Sequence, residues 1–161
     1  MQHLPGCFLF NPSQTYNLDE AQEYCQGVEN ATLIEIYTDE QLDFFKMARF
    51  AIEGQDRRKS WWLGGTDRGR EGDWFWMNSL KPVGDFVWWQ TQPNGGLKEN
   101  CMYCTVDAGI SFWDISCDEE HYPVCQRLPP DGPSDPCANF CADKPAAFFA
   151  QECCATTDIC L

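Results

Sequence analysis

The chain has 161 residues, eleven of them cysteine, and its 25 acids against 11 bases give a net charge of −14. A surface this acidic repels phosphate backbones and argues against nucleic-acid binding, and no apolar run is long enough to form a membrane span. So many cysteines would not stay paired in a reducing cytosol, which predicts a secreted, extracellular protein. The residues before Cys7 do not read as a secretory leader, so the sequence is expected to be a mature or processed form. The acidity attracts cations, although it more often only keeps a secreted protein soluble. Seven Trp and eleven Phe can build a core from few residues.

Cys7-Phe8-Leu9-Phe10 reads as a short apolar strand ended by Asn11-Pro12. Asn17 stands three residues before Glu20, as in a capping box. Leu18, Ala21, Cys25 and Val28 then recur at helical spacing, so a first helix turns Cys25 inward until Gly27 and Asn30 end it. Asn30-Ala31-Thr32 is an acceptor sequence for N-glycosylation. Leu33, Ile34 and Ile36 make a short strand or bridge. Thr38 and Gln41 form a second capping box, and Leu42, Phe45, Ala48 and Ile52 give one apolar stripe of a second helix, closed by Gly54. Gln55 to Ser60 is a basic turn, read as a solvated loop rather than an anion patch.

Trp61-Trp62-Leu63-Gly64-Gly65 and Trp74-Phe75-Trp76 read as strands separated by the glycine-punctuated loop Asp67 to Asp73. Val83 to Trp89 leads into a long loop containing Gln92-Pro93-Asn94. Glu99 and Asn100 stand just before Cys101, Asp114 stands three residues before Cys117, and a closing strand ends in Cys125. Oxygen-bearing side chains gathered by a rigid loop and clamped by cysteines are what calcium requires. Two helices, several short strands and long loops suit an α+β domain.

From Leu128 the composition changes. Residues 129–136 form a proline-rich linker, and residues 137–161 hold Cys137, Cys141, Cys153, Cys154 and Cys160, a tail too short for a core of its own.

Residues 5–128 resemble the C-type lectin-like domain, with Trp61 to Gly65 standing at its Trp-Ile-Gly-Leu core strand and Phe112-Trp113-Asp114 where it carries Trp-Asn-Asp. The resemblance implies the C-type lectin-like fold with disulfides Cys25–Cys125 and Cys101–Cys117. The first closes a loop nominally worth ~4.7 kcal/mol and the second one worth ~3 kcal/mol. It further implies a calcium ion held by Gln92, Asn94, Glu99 and Asp114, completed by vicinal sugar hydroxyls, with a cis bond before Pro93. Gln-Pro-Asn is a hybrid of the family's mannose-type Glu-Pro-Asn and galactose-type Gln-Pro-Asp. The family's Asn ligand is missing: either Trp113 occupies its place with Phe112 behind, or a residue is deleted beside Trp113. With only Glu99 and Asp114 charged, affinity is expected at the weak end, ~10⁻⁴–10⁻³ M. Trp88, Trp89 and Phe112 are read as loop anchors before sugar-stacking residues.

Seven cysteines remain, and Cys7 and Cys104 are expected to bond into the tail, Cys104 pointing away from the core. An odd number leaves one thiol free or joined to another chain, so a disulfide-linked homo-oligomer is expected. Cys101-x-x-Cys104 lies on a strand, not at a helix N-terminus, and does not read as a redox centre. His121, in the turn after Asp118, is read as solvated rather than as a zinc ligand, and no catalytic motif occurs. The expected function is a secreted carbohydrate-binding module, not an enzyme, with a degenerate calcium site and a glycan or extracellular protein as partner. The alternative is a structural protein that builds disulfide-linked extracellular assemblies through its scaffold and tail.

Overall fold

Strands β1 (Cys7–Phe10) and β7 (Tyr122–Arg127) pair antiparallel, with Cys7 opposite Arg127 and Phe10 opposite Val124, and so bring the two ends of the domain together. The computed structural model describes residues 7–28, 31–53, 59–105 and 111–127. Asn30, Gly54, the proline-rich segment and the five tail cysteines lie outside these residues, as does any bond from Cys7 or Cys104 to the tail. Between the terminal strands run α1 (Leu18–Gly27), β2 (Thr32–Leu33), α2 (Asp39–Glu53), β3 (Trp61–Thr66), β4 (Phe75–Trp76), β5 (Cys101–Thr105) and β6 (Ser111–Ile115). The sheet order is β1-β7-β3-β5-β6, with β2 also beside β7 and β4 beside β3. Every pair is antiparallel except β3 with β7.

Both helices start where the sequence predicts. The Asn17 side chain accepts the Glu20 amide at 3.0 Å and the Glu20 carboxylate accepts the Asn17 amide at 3.2 Å. Thr38 and Gln41 repeat the exchange at 3.2 and 3.0 Å. The expected stripes face inward: Leu18, Ala21 and Cys25 on α1, Leu42, Phe45 and Ala48 on α2.

The core is aromatic. Phe45 packs on Phe10 and, edge-on, on Phe112, both at 5.6 Å between ring centres, and Trp61 meets Phe10 at 5.2 Å. Burying each such ring contributes about 1.5–3 kcal/mol. β3 is buried along its whole length, and Gly64 serves a close approach there: a Cβ would sit 3.2 Å from the Leu33 carbonyl oxygen.

Cys25–Cys125 and Cys101–Cys117 are both bonded, with Cα atoms 5.3 and 5.1 Å apart, as the resemblance implies. The expectation for Cys104 needs correction. It does lie on the face of β5 opposite Cys101, yet it is fully buried, because α2 covers that face too. Arg49 of α2, itself 1% exposed, donates to Cys104 Sγ at 3.1 Å and to the carbonyls of Thr105 and Lys59 at 3.0 Å each. Strand alternation separates two faces but does not say that one of them is wet. Among the described residues no helix is long and apolar enough to cross a membrane.

Candidate functional site

The loop from Met77 to Asn100 folds back on the sheet edge at β6. Trp88 bridges to Phe112, the Trp89 amide donates to the Phe112 carbonyl at 3.0 Å, and Trp74 packs edge-on against Trp88 at 4.7 Å. Phe112 is 1% exposed. These aromatics therefore anchor the loop, the first of the two roles considered for them. β5 pairs with β6 in unbroken register, Met102 opposite Asp114, Tyr103 opposite Trp113 and Cys104 opposite Phe112. No residue is deleted: Phe112 enters the core, and half-buried Trp113 stands where the resemblance puts an asparagine ligand. Its indole offers no oxygen, and its N–H has no partner.

Beyond Trp89 the chain turns through a cis Gln92–Pro93 bond, the geometry the resemblance implies, and a short 3-10 turn at Gly96–Lys98 leads to Glu99. Asp114 is 4% exposed; its Oδ2 accepts the Gly95 amide at 2.6 Å and its Oδ1 has no donor. Gly95 is needed for closeness, because a Cβ there would lie 2.1 Å from Glu99 Oε2. The structure thus gathers Glu99, Gly95 and Asp114, holds half-buried Gln92 at the start of the same turn, and leaves Asn94 on the exposed rim.

Three further residues belong to this neighbourhood: Asn100, noted in the sequence beside Glu99 but not among the implied ligands, and Asp67 and Glu71, which were not singled out. Asp67, in the loop after β3, is 2% exposed; Gly72 donates to its Oδ2 at 2.8 Å, while its Oδ1 lacks a donor. Asn100 receives Thr66 Oγ1 on its carbonyl at 2.6 Å, and its side-chain oxygen is buried without a donor. Glu71 is exposed on the same loop. The signal available was the pair Asp67 and Glu71, four residues apart in a glycine-punctuated turn.

Electrostatics tie these groups to Asp114. Burial first, then the charge of Asp114, pushes both Asp67 and Glu99 above the usual carboxylate range, with the Gly72 amide partly offsetting this for Asp67. Glu71 is raised by desolvation and by the charges of Asp67 and Asp114. Among the described residues no Lys or Arg pairs with any of the four; Arg68 and Arg70 are engaged by Asp19 and Asp73. Four buried oxygens, on Gln92, Asn100, Asp67 and Asp114, are acceptors lacking any donor. Oxygens of that kind amid uncompensated carboxylates suit a hard cation. Acidic side chains alone do not make the cage, since no three of them among the described residues are grouped to hold a metal. The amides would have to contribute.

The sequence matches the family described as lectin C-type domain over residues 14–127. The chain belongs to the C-type lectin domain family. It is 33% identical over 121 residues to human C-type lectin domain family 17, member A, covering 75% of this chain and 29% of that protein. It is 34% identical over 124 residues to a type-2 ice-structuring protein of Osmerus mordax, covering 75% of this chain and 65% of that one. A solved calcium-dependent type II antifreeze protein, in its calcium-free form, superposes with a TM-score of 0.66 at 32% identity, over 76% of this chain and 92% of that one. The chain thus spans less than two thirds of the length of these two curated relatives. A lectin domain of this family is a binding module, not an enzyme.

In the lectin domain His121 is not the solvated residue the sequence predicts. It is half-buried, edge-on to Trp62 and stacked on Tyr103 at 4.7 Å each, with Nδ1 2.6 Å from Ser60 Oγ and no partner on Nε2. The neighbouring strands, not the acidic turn, set its surroundings. Burial lowers its pKa from 6.5 to about 4. The unfolded chain therefore takes up a proton that the folded chain refuses, so stability is lost as pH falls from 6.5 towards 4. Partial exposure reduces the effect to roughly 1–2 kcal/mol. In denaturant titrations at stepped pH, His121→Asn should lose less stability over that window than the parent; parallel curves would refute this.

Proposed function

We propose that the long loop is a calcium-assisted site for a hydroxyl-rich ligand, a glycan first. Gln92, Asn94, Glu99 and Asp114 would hold the ion, which supplies a Lewis-acidic centre for two adjacent hydroxyls. Asn100 and Asp67 add the further oxygens that two charges alone leave short. The observation that carries this reading is the set of buried acceptors on Gln92, Asn100 and Asp114 with no donor to satisfy them. Trp113 in the asparagine position removes one ligand and keeps the expected affinity weak, ~10⁻⁴–10⁻³ M.

The test is calorimetric titration with calcium, followed by a glycan array with and without chelator. Asp114→Asn should abolish the calcium heat and any chelator-sensitive glycan binding. Absence of both in the parent protein would sink the proposal. A second reading, ice binding, is favoured by 32–34% identity to an antifreeze and an ice-structuring protein. Thermal hysteresis without glycan binding would select it.

The wider setting belongs to the same proposal. The lectin domain at residues 5–128 acts outside the cell, and the tail at 137–161, joined through 129–136 and bonded to Cys7, builds disulfide-linked oligomers. Its support is the disulfide density of the chain and its odd cysteine count. Monomer alone on non-reducing electrophoresis would count against the assembly.

A further inference from the structure

Asn94 is the only asparagine in the chain followed by glycine. It stands on the exposed rim, and its side chain makes no hydrogen bond among the described residues. No hydrogen bond among the described residues holds its Cγ away from the next backbone nitrogen, and Gly95 has no Cβ to obstruct the approach. That nitrogen carries an unusual partner. The Gly95 N–H points at a carboxylate, Asp114 Oδ2, at 2.6 Å, and Asp114 is buried and unpaired with any base. A carboxylate at hydrogen-bond distance from the proton to be removed has the geometry of a general base.

We propose that Asn94–Gly95 is a self-modification site at which the folded loop deamidates itself. Asp114 takes the Gly95 amide proton as that nitrogen attacks Asn94 Cγ. The new C–N bond closes a five-membered succinimide, and the side-chain nitrogen leaves as ammonia with the transferred proton. Water then opens the ring at either carbonyl, yielding aspartate or isoaspartate at position 94. The net exchange is an amide and a water for a carboxylate and ammonium; no oxidant or metal is needed. Each event adds one negative charge beside Glu99 and Asp114. Without a cation that charge is unfavourable, and with one it supplies a third charged ligand. This consequence rests on the calcium reading proposed above; the cyclisation does not.

The experiment is peptide mapping by mass spectrometry of the disulfide-intact protein aged at mildly alkaline pH, folded and in denaturant. Asn94 should convert to an aspartate and isoaspartate mixture ahead of Asn78 and Asn100, and no more slowly folded than denatured. Asn94→Gln should stay intact, because a six-membered ring closes far more slowly. Asp114→Asn should slow conversion about tenfold or more. Asn94 outlasting Asn78, or converting only in denaturant, would overturn the proposal; unchanged or faster conversion in Asp114→Asn would overturn the role of Asp114. Separately, Asn94→Asp should bind calcium about tenfold more tightly than the parent. Conversion at position 94 with no calcium heat in either protein would reject the calcium reading and leave the modification standing.

Discussion

Replacing Cys25 and Cys125 together by alanine is expected to lower the unfolding free energy by about 4 kcal/mol. The bond joins residues 100 apart and ties α1 to the central strand β7. Opening it releases the longest closed loop described and restores chain entropy to the unfolded state. For a domain of this size the midpoint of thermal unfolding should fall by roughly 15 °C. Removing Cys101–Cys117, 16 residues apart, should cost less, about 3 kcal/mol, but should weaken any calcium response because that bond fixes Glu99 relative to Asp114. Differential scanning calorimetry of the two double variants separates scaffold from site. A midpoint for the Cys25 and Cys125 variant within a few degrees of the parent would mean that core packing alone holds the domain closed.

The framework was legible because it depends on local signals. Both capping boxes are read from residues three apart, and the inward faces of α1 and α2 follow from helical spacing. The cysteine spacing points to the family, and the pairings follow from it. What escaped depends on which surfaces the fold covers. Cys104 was expected outside because strand alternation separates faces, but nothing in its neighbours announces that α2 lies over the far one. His121 sits in an acidic, polar run, yet Trp62, Tyr103 and Ser60, distant in sequence, enclose it. The proposed site divides in the same way. Glu99 and Asp114 were visible through their distance from cysteines, whereas Asp67 joins them only through folding, its loop 47 residues away from Asp114 in the chain. Trp113 was ambiguous until the register of β5 on β6 showed that Phe112 fills the core.

Glu35 is the residue for which sequence gave no warning, and replacing it by alanine is expected to cost about 3–5 kcal/mol. It precedes α2 in an apolar run, between Ile34 and Ile36, and is 2% exposed. Its Oε1 accepts the amides of Asn78 and Ser79 at 2.8 and 3.1 Å, and its Oε2 accepts the Tyr37 hydroxyl. Its own amide donates to Gln126 Oε1 at 3.1 Å. The carboxylate thus pins the turn after β4, where Leu80 has φ of 59°, to the segment entering α2, while the backbone amide of Glu35 ties that segment to β7. Burial and the Glu35 partnership push the Tyr37 hydroxyl up to about 12, so it stays a donor throughout the physiological range. Alanine would strand three donors at once. Glutamine keeps an oxygen for the turn amides but turns an N–H₂ toward Tyr37, so its cost should be smaller, about 1–2 kcal/mol. Urea denaturation distinguishes the two, and an alanine variant within about 1 kcal/mol of the parent would dismiss the pin. Among the described residues no hydrogen bond joins a partner of Glu35 to Gln92, Glu99 or Asp114, so at temperatures where the alanine variant remains folded its calcium and glycan responses should match the parent. A loss there would mean that the turn after β4 also holds the long loop in shape through Trp74 and Trp88.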